Sequence, residues 1–212
     1  MMPTMHSLAL FLAAGLALNL TPGPDMLYVA ARGASEGRSA GVVSALGIGT
    51  GTLVHVALVA AGLAALLAAV PVAYLALRLV GAAYLISLGV RALRGGPTAS
   101  TGALAPAPLG VIFRQGVITN VLIPKVALFF LAFLPQFVDP SRGNAALQVV
   151  ALGLLFDVSG TLVNLAVALA SSRVAGGLRR SEAPGGAGRM IQRVTGGLFI
   201  ALGARLAYGA RP

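Results

Sequence analysis

The chain has 212 residues, 58% of them hydrophobic and only 9% charged, with 15 Lys or Arg against 5 Asp or Glu. Soluble domains carry about 25% charged residues, so this chain has too little polar surface to cover a water-soluble core, and a soluble enzyme is excluded. The absence of cysteine excludes disulfides and thiolate chemistry, and the two histidines, His6 and His55, are too far apart to suggest a metal-ligand cluster.

Long apolar runs broken by charge, Gly and Pro predict an all-α integral membrane protein: one transmembrane domain over residues 1–212, with six helices at about 7–31, 41–68, 72–93, 110–135, 145–171 and 190–209. Met1 to Ser7 carries no basic leader, so the first run is read as a retained span. Residues 94–109 and 173–189 are rich in Gly, Pro, Ala and Ser and are expected to be flexible cytoplasmic linkers. The net charge of +10 does not mark a nucleic-acid binder, because the arginines stand at the ends of apolar runs. They are also unevenly shared. Arg32, Arg38, Arg91, Arg94, Arg114, Arg173, Arg179, Arg180, Arg189 and Arg193 fall on the odd-numbered connectors and their edges, against Arg142, Arg205 and Arg211 on the other face. Basic residues are retained in the cytoplasm, so both termini are expected outside. If the first span stopped short at its prolines, the N-terminus would instead be cytoplasmic.

The two halves of the chain match at a drifting offset. Asn19 and Asn120 are 101 residues apart, as are Gly15 and Gly116; Pro24 and Pro124 are 100 apart, as are Asp25 and Lys125; Gly51 with Gly153 and His55 with Asp157 are 102 apart. Leu88-Gly89-Val90-Arg91 pairs with Leu202-Gly203-Ala204-Arg205 at 114. With three crossings in each half, a duplication over 7–93 and 110–209 is a repeat of inverted topology, with broken first and fourth helices.

Those breaks carry the chemistry. Asn19-Leu20-Thr21-Pro22-Gly23-Pro24-Asp25 and Asn120-Val121-Leu122-Ile123-Pro124-Lys125 each remove backbone donors inside an apolar span. Such a break persists in lipid only when buried in protein or lining a polar cavity. The two asparagines have a competing structural reading, in which they pair with neighbouring helices or satisfy carbonyls freed by proline. Lys125 lies too deep in its span to snorkel, which marks it as functional. Asp25 is either a site residue or a counter-ion for Arg32, seven residues on. Asp157 is mid-span, and His55 is its repeat-matched counterpart. Asp25, Asp157 and His55 are the candidates for proton coupling. Lys125 would meet a carboxylate and Asp25 or Asp157 an ammonium, so a small zwitterion such as an amino acid is the expected substrate. Gly37 and Gly41, and Gly47 and Gly51, show the four-residue spacing of close helix packing.

These motifs, together with the run Gly116-Val-Ile-Thr-Asn-Val-Leu-Ile-Pro-Lys-Val-Ala-Leu-Phe-Phe-Leu-Ala-Phe-Leu-Pro-Gln-Phe137, resemble the lysine-exporter superfamily of the LysE/RhtB type. The resemblance runs through the whole chain. It implies a bacterial inner-membrane exporter of amino acids or derivatives such as lysine, arginine, threonine, homoserine or homoserine lactone, and it allows a homodimer. Carried onto this chain, the signature positions are Asn19, Thr21, Pro22, Gly23, Pro24, Asn120, Pro124 and Lys125. Ile123 stands where the family usually has Asn, which weakens transfer of a named substrate.

The residues leave other classes open: a passive channel, an ion exporter on the same scaffold, or an intramembrane enzyme, for which His55 and Asp157 lack a third member. With no Walker motif, ATP-driven transport by this chain is not expected, and no cofactor is implied. The cysteine-free chain makes sidedness directly measurable. Single cysteines at Ser141 and at Ser35 should react with a membrane-impermeant maleimide from opposite faces of intact cells and inverted vesicles, Ser141 from outside; labelling from the same face would overturn the orientation.

Overall fold

A computed structural model describes residues 5–69 and 105–174, together with residues 79, 80, 82, 83, 86, 87, 90, 93, 94, 200, 201 and 204. Among the described residues all regular structure is helical. Helix α1 spans Met5–Leu20, α2 Pro24–Glu36, α3 Arg38–Ala69, α4 Leu109–Val121, α5 Pro124–Leu128 and α6 Ala145–Val174. After α5 the chain passes through a π-helical turn, Phe129–Phe133, and a 3-10 turn, Leu134–Phe137. The fourth predicted span is thus less regular than its hydropathy suggests, and it ends two residues later.

Within α3, Arg38–Gly62 is long and apolar enough to cross a membrane, as is Ala145–Arg173 within α6. Two bent pairs also have the composition of a span: α1 with α2, bent by 51°, and α4 with the segment Pro124–Phe137, bent by 49°. The first, second, fourth and fifth predicted spans therefore have helical counterparts. The third and sixth lie outside the described residues except for scattered helical positions, as does the match of Leu88-Gly89-Val90-Arg91 with its later partner. Of the two linkers, residues 95–104 and 175–189 are likewise outside, and α6 continues through Val174 into the start of the second.

The sequence explains where the helices stop. Pro22 and Pro24 cannot donate to the preceding turn, so α1 ends at Leu20 and α2 begins at Pro24, where a missing N–H is harmless. Pro124 does the same at the start of α5. Gly37 supplies the turn between α2 and α3 with φ of 87°, a left-handed conformation that favours glycine. Among the described residues nothing comes within 4 Å of where a Cβ on Gly37 would sit, so its place in a four-residue glycine pattern reflects this turn and not a helix contact.

Packing fixes the direction of each segment. Gly47 and Gly51 of α3 face Gly116 and Asn120 of α4, so these helices run parallel. Gly41, Gly49 and Val56 of α3 lie against Ala168, Thr161 and Gly153 of α6 in that order, an antiparallel pair. Gly15 and Gly33 of the α1–α2 segment meet Phe156 and Ala168 of α6, a parallel pair. The broken segment α1–α2 therefore runs opposite to the broken segment that starts at α4, and the straight α3 runs opposite to the straight α6. In lipid such contacts gain nothing from excluding water, so small residues that let backbones approach supply the packing.

Two apolar clusters result. One lies toward the start of α1 and is built on Phe11, Phe129, Phe130, Phe133, Phe137 and Phe156, with the Phe129 and Phe156 ring centroids 4.9 Å apart. The other gathers Tyr28, Val29, Ala45, Ile48, Ile112 and Ala168 toward the end of α2. Leu46, Leu58, Leu147 and Leu162 point outward, as lipid-facing side chains should. In the connector before α6, Asp139 closes a tight turn. The Ser141 hydroxyl donates to its carboxylate and holds it below the usual carboxylate range.

A Cβ on Gly116 would sit 2.9 Å from the Ser44 carbonyl oxygen, and one on Gly47 would overlap the Phe113 carbonyl. Gly116→Leu and Gly47→Leu should each lower the stability of the detergent-solubilised protein by about 1–3 kcal/mol or more, as overpacked sites do. A Gly37→Ala control probes strain without contact. Equal thermal midpoints for the wild type and both leucine variants would refute this crossing.

Candidate functional site

The two breaks meet. Lys125 Nζ donates to the Thr21 carbonyl oxygen at 3.2 Å and pairs with Asp25 at 3.2 and 3.4 Å from its two carboxylate oxygens. Lys125 is 5% exposed and Asp25 6%, so both charges are withdrawn from solvent and each compensates the other. Asp25 sits in the first turn of α2, where the positive end of the helix dipole also favours a carboxylate. The sequence places Lys125 at the carboxylate of a ligand and Asp25 or Asp157 at its ammonium. In this structure they are partners. Asp25 is not the counter-ion of Arg32, whose side chain pairs with Glu36 one turn away.

Gly23 is part of this contact. Its backbone is extended, with φ of -145°, which other residues adopt; what it contributes is space, because a Cβ would lie 2.6 Å from Asp25 Oδ1 and 2.8 Å from Lys125 Nζ. Thr21 turns its hydroxyl back onto the Ala17 carbonyl at 2.8 Å, leaving its own carbonyl to Lys125. Pro22 is partly exposed, and Pro24 and Pro124 are exposed; all three shape the breaks through the backbone.

The second break is satisfied from α3. Pro124 has no N–H to offer the Asn120 carbonyl four residues back, and that oxygen instead takes the Ile123 N–H at 3.0 Å and His55 Nε2 at 3.3 Å. A carbonyl only accepts, so His55 carries its proton on Nε2 in this contact. The Asn120 side chain is buried beside Gly51 and Thr52. Asn19 makes the matching contact in the other half: its amide donates to the Phe156 carbonyl at 3.3 Å and to Ser159 Oγ at 3.0 Å on α6. Each asparagine thus ties a broken segment to the straight helix of the other half.

Asp157 is partly buried on α6, 3.5 Å from Thr161 Oγ1 and close under Gly49. No hydrogen bond between described residues joins it to the Lys125–Asp25 pair. The structure therefore brings together Thr21, Gly23, Asp25 and Lys125, places His55 and Asn120 behind the second break, and leaves Asp157 on α6 and Asn19 of α1 bonded to that helix. Among the described residues no group of His, Asp or Glu can hold a metal ion.

The family model for LysE type translocators matches residues 16–210. The chain belongs to that family. It is 33% identical over 197 residues to an uncharacterized membrane protein of Pseudomonas aeruginosa, covering 89% of this chain and 88% of that one. It is 29% identical over 198 residues to the homoserine/homoserine lactone efflux protein of Salmonella typhimurium, covering 93% and 94%, and 29% identical over 150 residues to the leucine efflux protein of Salmonella choleraesuis, covering 70% and 71%. No solved structure matches. As a LysE type translocator the chain is a membrane transporter and not an enzyme.

Arg32 counts in the sequence only among the basic residues of the connectors and their edges and as a partner for Asp25, not as a site residue. It is 2% exposed, its guanidinium lies 5.6 Å from the centre of the Tyr28 ring, and it donates to Glu36, to the Ala105 carbonyl at 2.9 Å and to Gln115 Oε1 at 2.8 Å. The four-residue spacing of Tyr28, Arg32 and Glu36 was the available signal, since it sets all three on one helix face.

Removing one partner of a buried ion pair strands the other, at a cost of about 3–5 kcal/mol. Lys125→Ala and Asp25→Ala should each lower the detergent-solubilised unfolding midpoint sharply, and Lys125→Ala with Asp25→Ala should recover much of the loss. Additive single effects would mean that the two charges do not interact.

Proposed function

We propose that this LysE type translocator is a secondary-active exporter of amino acids or amino-acid derivatives, and that the paired breaks form its substrate site. The observation that carries the proposal is the buried Lys125–Asp25 pair, which closes one break onto the other. Parting it leaves two buried charges of opposite sign, which a ligand must compensate together. A zwitterion does so: its carboxylate replaces Asp25 beside Lys125 and its ammonium replaces Lys125 beside Asp25. An anion or a cation alone would leave one group stranded. The efflux relatives named for homoserine and leucine handle ligands of this class, and they support the direction of transport.

We further read the molecule as six spans in two inverted repeats in the bacterial inner membrane, with both termini outside. The opposite courses of the two broken segments and of the two straight helices support this reading, as does the packing of corresponding asparagines against opposite halves. Parting the ion pair from one side and then the other would let the repeats rock about the site. The aromatic cluster beyond Lys125 argues against a permanently open channel. Coupling to protons is assigned to Asp157, which is separate from the ion pair and stands at the repeat-matched depth of His55.

Counterflow in proteoliposomes tests the reading. Homoserine, homoserine lactone, leucine, threonine, lysine and arginine are offered with and without an imposed pH gradient. Saturable exchange of at least one amino acid is expected, with accumulation driven by the gradient. Lys125→Ala should abolish exchange in correctly inserted protein, whereas Asp157→Asn should keep exchange and lose the gradient-driven accumulation. Full activity of Lys125→Ala would remove the proposed site, and a gradient response in Asp157→Asn would remove the assigned proton carrier.

A further inference from the structure

A cavity of about 510 Å³ opens beside the end of α2, lined among others by Tyr28, Arg32, Ala105, Gln115 and Thr119. It is separate from the ion pair yet adjoins it in sequence on both walls. Tyr28 is three residues beyond Asp25, and Thr119 directly precedes Asn120. It lies on the side where α2 ends and α4 begins, the basic face of the chain, whereas the Phe129, Phe133 and Phe137 rings pack on the far side of Lys125.

Its wall is built to hold an anion. The Arg32 guanidinium is positioned rigidly by Glu36, the Ala105 carbonyl and Gln115, and the Ala107 N–H in turn donates to Glu36 Oε2 at 2.8 Å, so the 105–108 segment is clamped against α2. Arg32 Nε is buried and has no acceptor among the described residues. A buried donor on a cation without an acceptor is costly, and a carboxylate is the acceptor that suits a guanidinium best. The Gln115 amide nitrogen and the Thr119 hydroxyl add donors on the same wall, and Ile118 adds apolar surface for a side chain. The volume falls within the range of small-molecule sites.

We infer that this cavity is a loading site, at which the carboxylate of an amino acid arriving from the basic face is held by Arg32 before the ligand passes to the Lys125–Asp25 pair. The inference rests on the proposed function for the nature of the ligand, and it adds a second binding station and a positioning role for Glu36.

The cysteine-free chain allows a direct test that does not depend on transport. With Thr119→Cys in nanodiscs, the rate of alkylation by a polar maleimide is measured against added homoserine and leucine, and against their amides, which lack the carboxylate. An amino acid at about ten times its dissociation constant should slow labelling about tenfold by occupancy alone, and the amides should not. Adding Arg32→Lys, which keeps the charge but loses the fork and is milder for folding than Arg32→Gln, should raise the protecting concentration about tenfold; Arg32→Gln should abolish protection. Adding Lys125→Ala together with Asp25→Ala, the combination that leaves no stranded charge, should leave protection in place, which separates this site from the one at the breaks: loss of transport with protection intact supports both readings, and loss of protection in that variant with its thermal midpoint retained would reduce the two sites to one. Equal protection by acid and amide, or none by either, would overturn the inference. Slowing produced by anionic phospholipid in the nanodisc, and by neither amino acid in phosphatidylcholine alone, would assign the cavity to a lipid headgroup and overturn it as well.

Discussion

Backbone groups freed inside lipid have no water to turn to, and the architecture around the two breaks follows from where they find partners. Proline removes donors at the end of α1 and at the start of α5, which leaves carbonyls in the middle of apolar segments. The Thr21 carbonyl is met by the Lys125 ammonium, and the Asn120 carbonyl by His55. Each solution draws on an element far away in the chain. Lys125 then needs a counter-charge, which Asp25 supplies, and the approach of the two requires that residue 23 have no side chain. One constraint thus accounts for a lysine, an aspartate, a histidine and a glycine that would otherwise be unusual choices in a membrane span.

The surroundings of the pair are polar toward one end and aromatic toward the other. On the basic side Arg32, Tyr28 and Gln115 border a cavity. On the opposite side six phenylalanines fill the space, and the backbone there departs from α-helical geometry through a π turn and a 3-10 turn. Irregular helical turns of this kind often occur at functional sites.

Much of this was legible in the residues. Hydropathy sums over twenty positions, so the long apolar helices α3 and α6 could be placed within a few residues. Proline acts on its own backbone, so both interruptions were located where they occur, and the depth of Lys125 marked it as a functional group. Other features were not legible. Arg32 has the same identity whether it faces water or a buried carbonyl, and the count of basic residues that orients the chain treats both alike. Gly37 fits a packing pattern as well as Gly41 does, and only its positive φ assigns it to a turn. Asn19 and Asn120 were readable as a matched pair, but not the helices that each would hold.

The sequence by itself determined that the chain belongs in a membrane, where its apolar segments and their breaks lie, and which family it joins, because these depend on composition over short windows and on local backbone chemistry. Only the tertiary structure decided that Lys125 faces Asp25, that Asp157 stands apart from them, and that Arg32 is buried beside a cavity. Those pairings depend on how helix faces separated by about a hundred residues pack against one another, and no single segment carries that information.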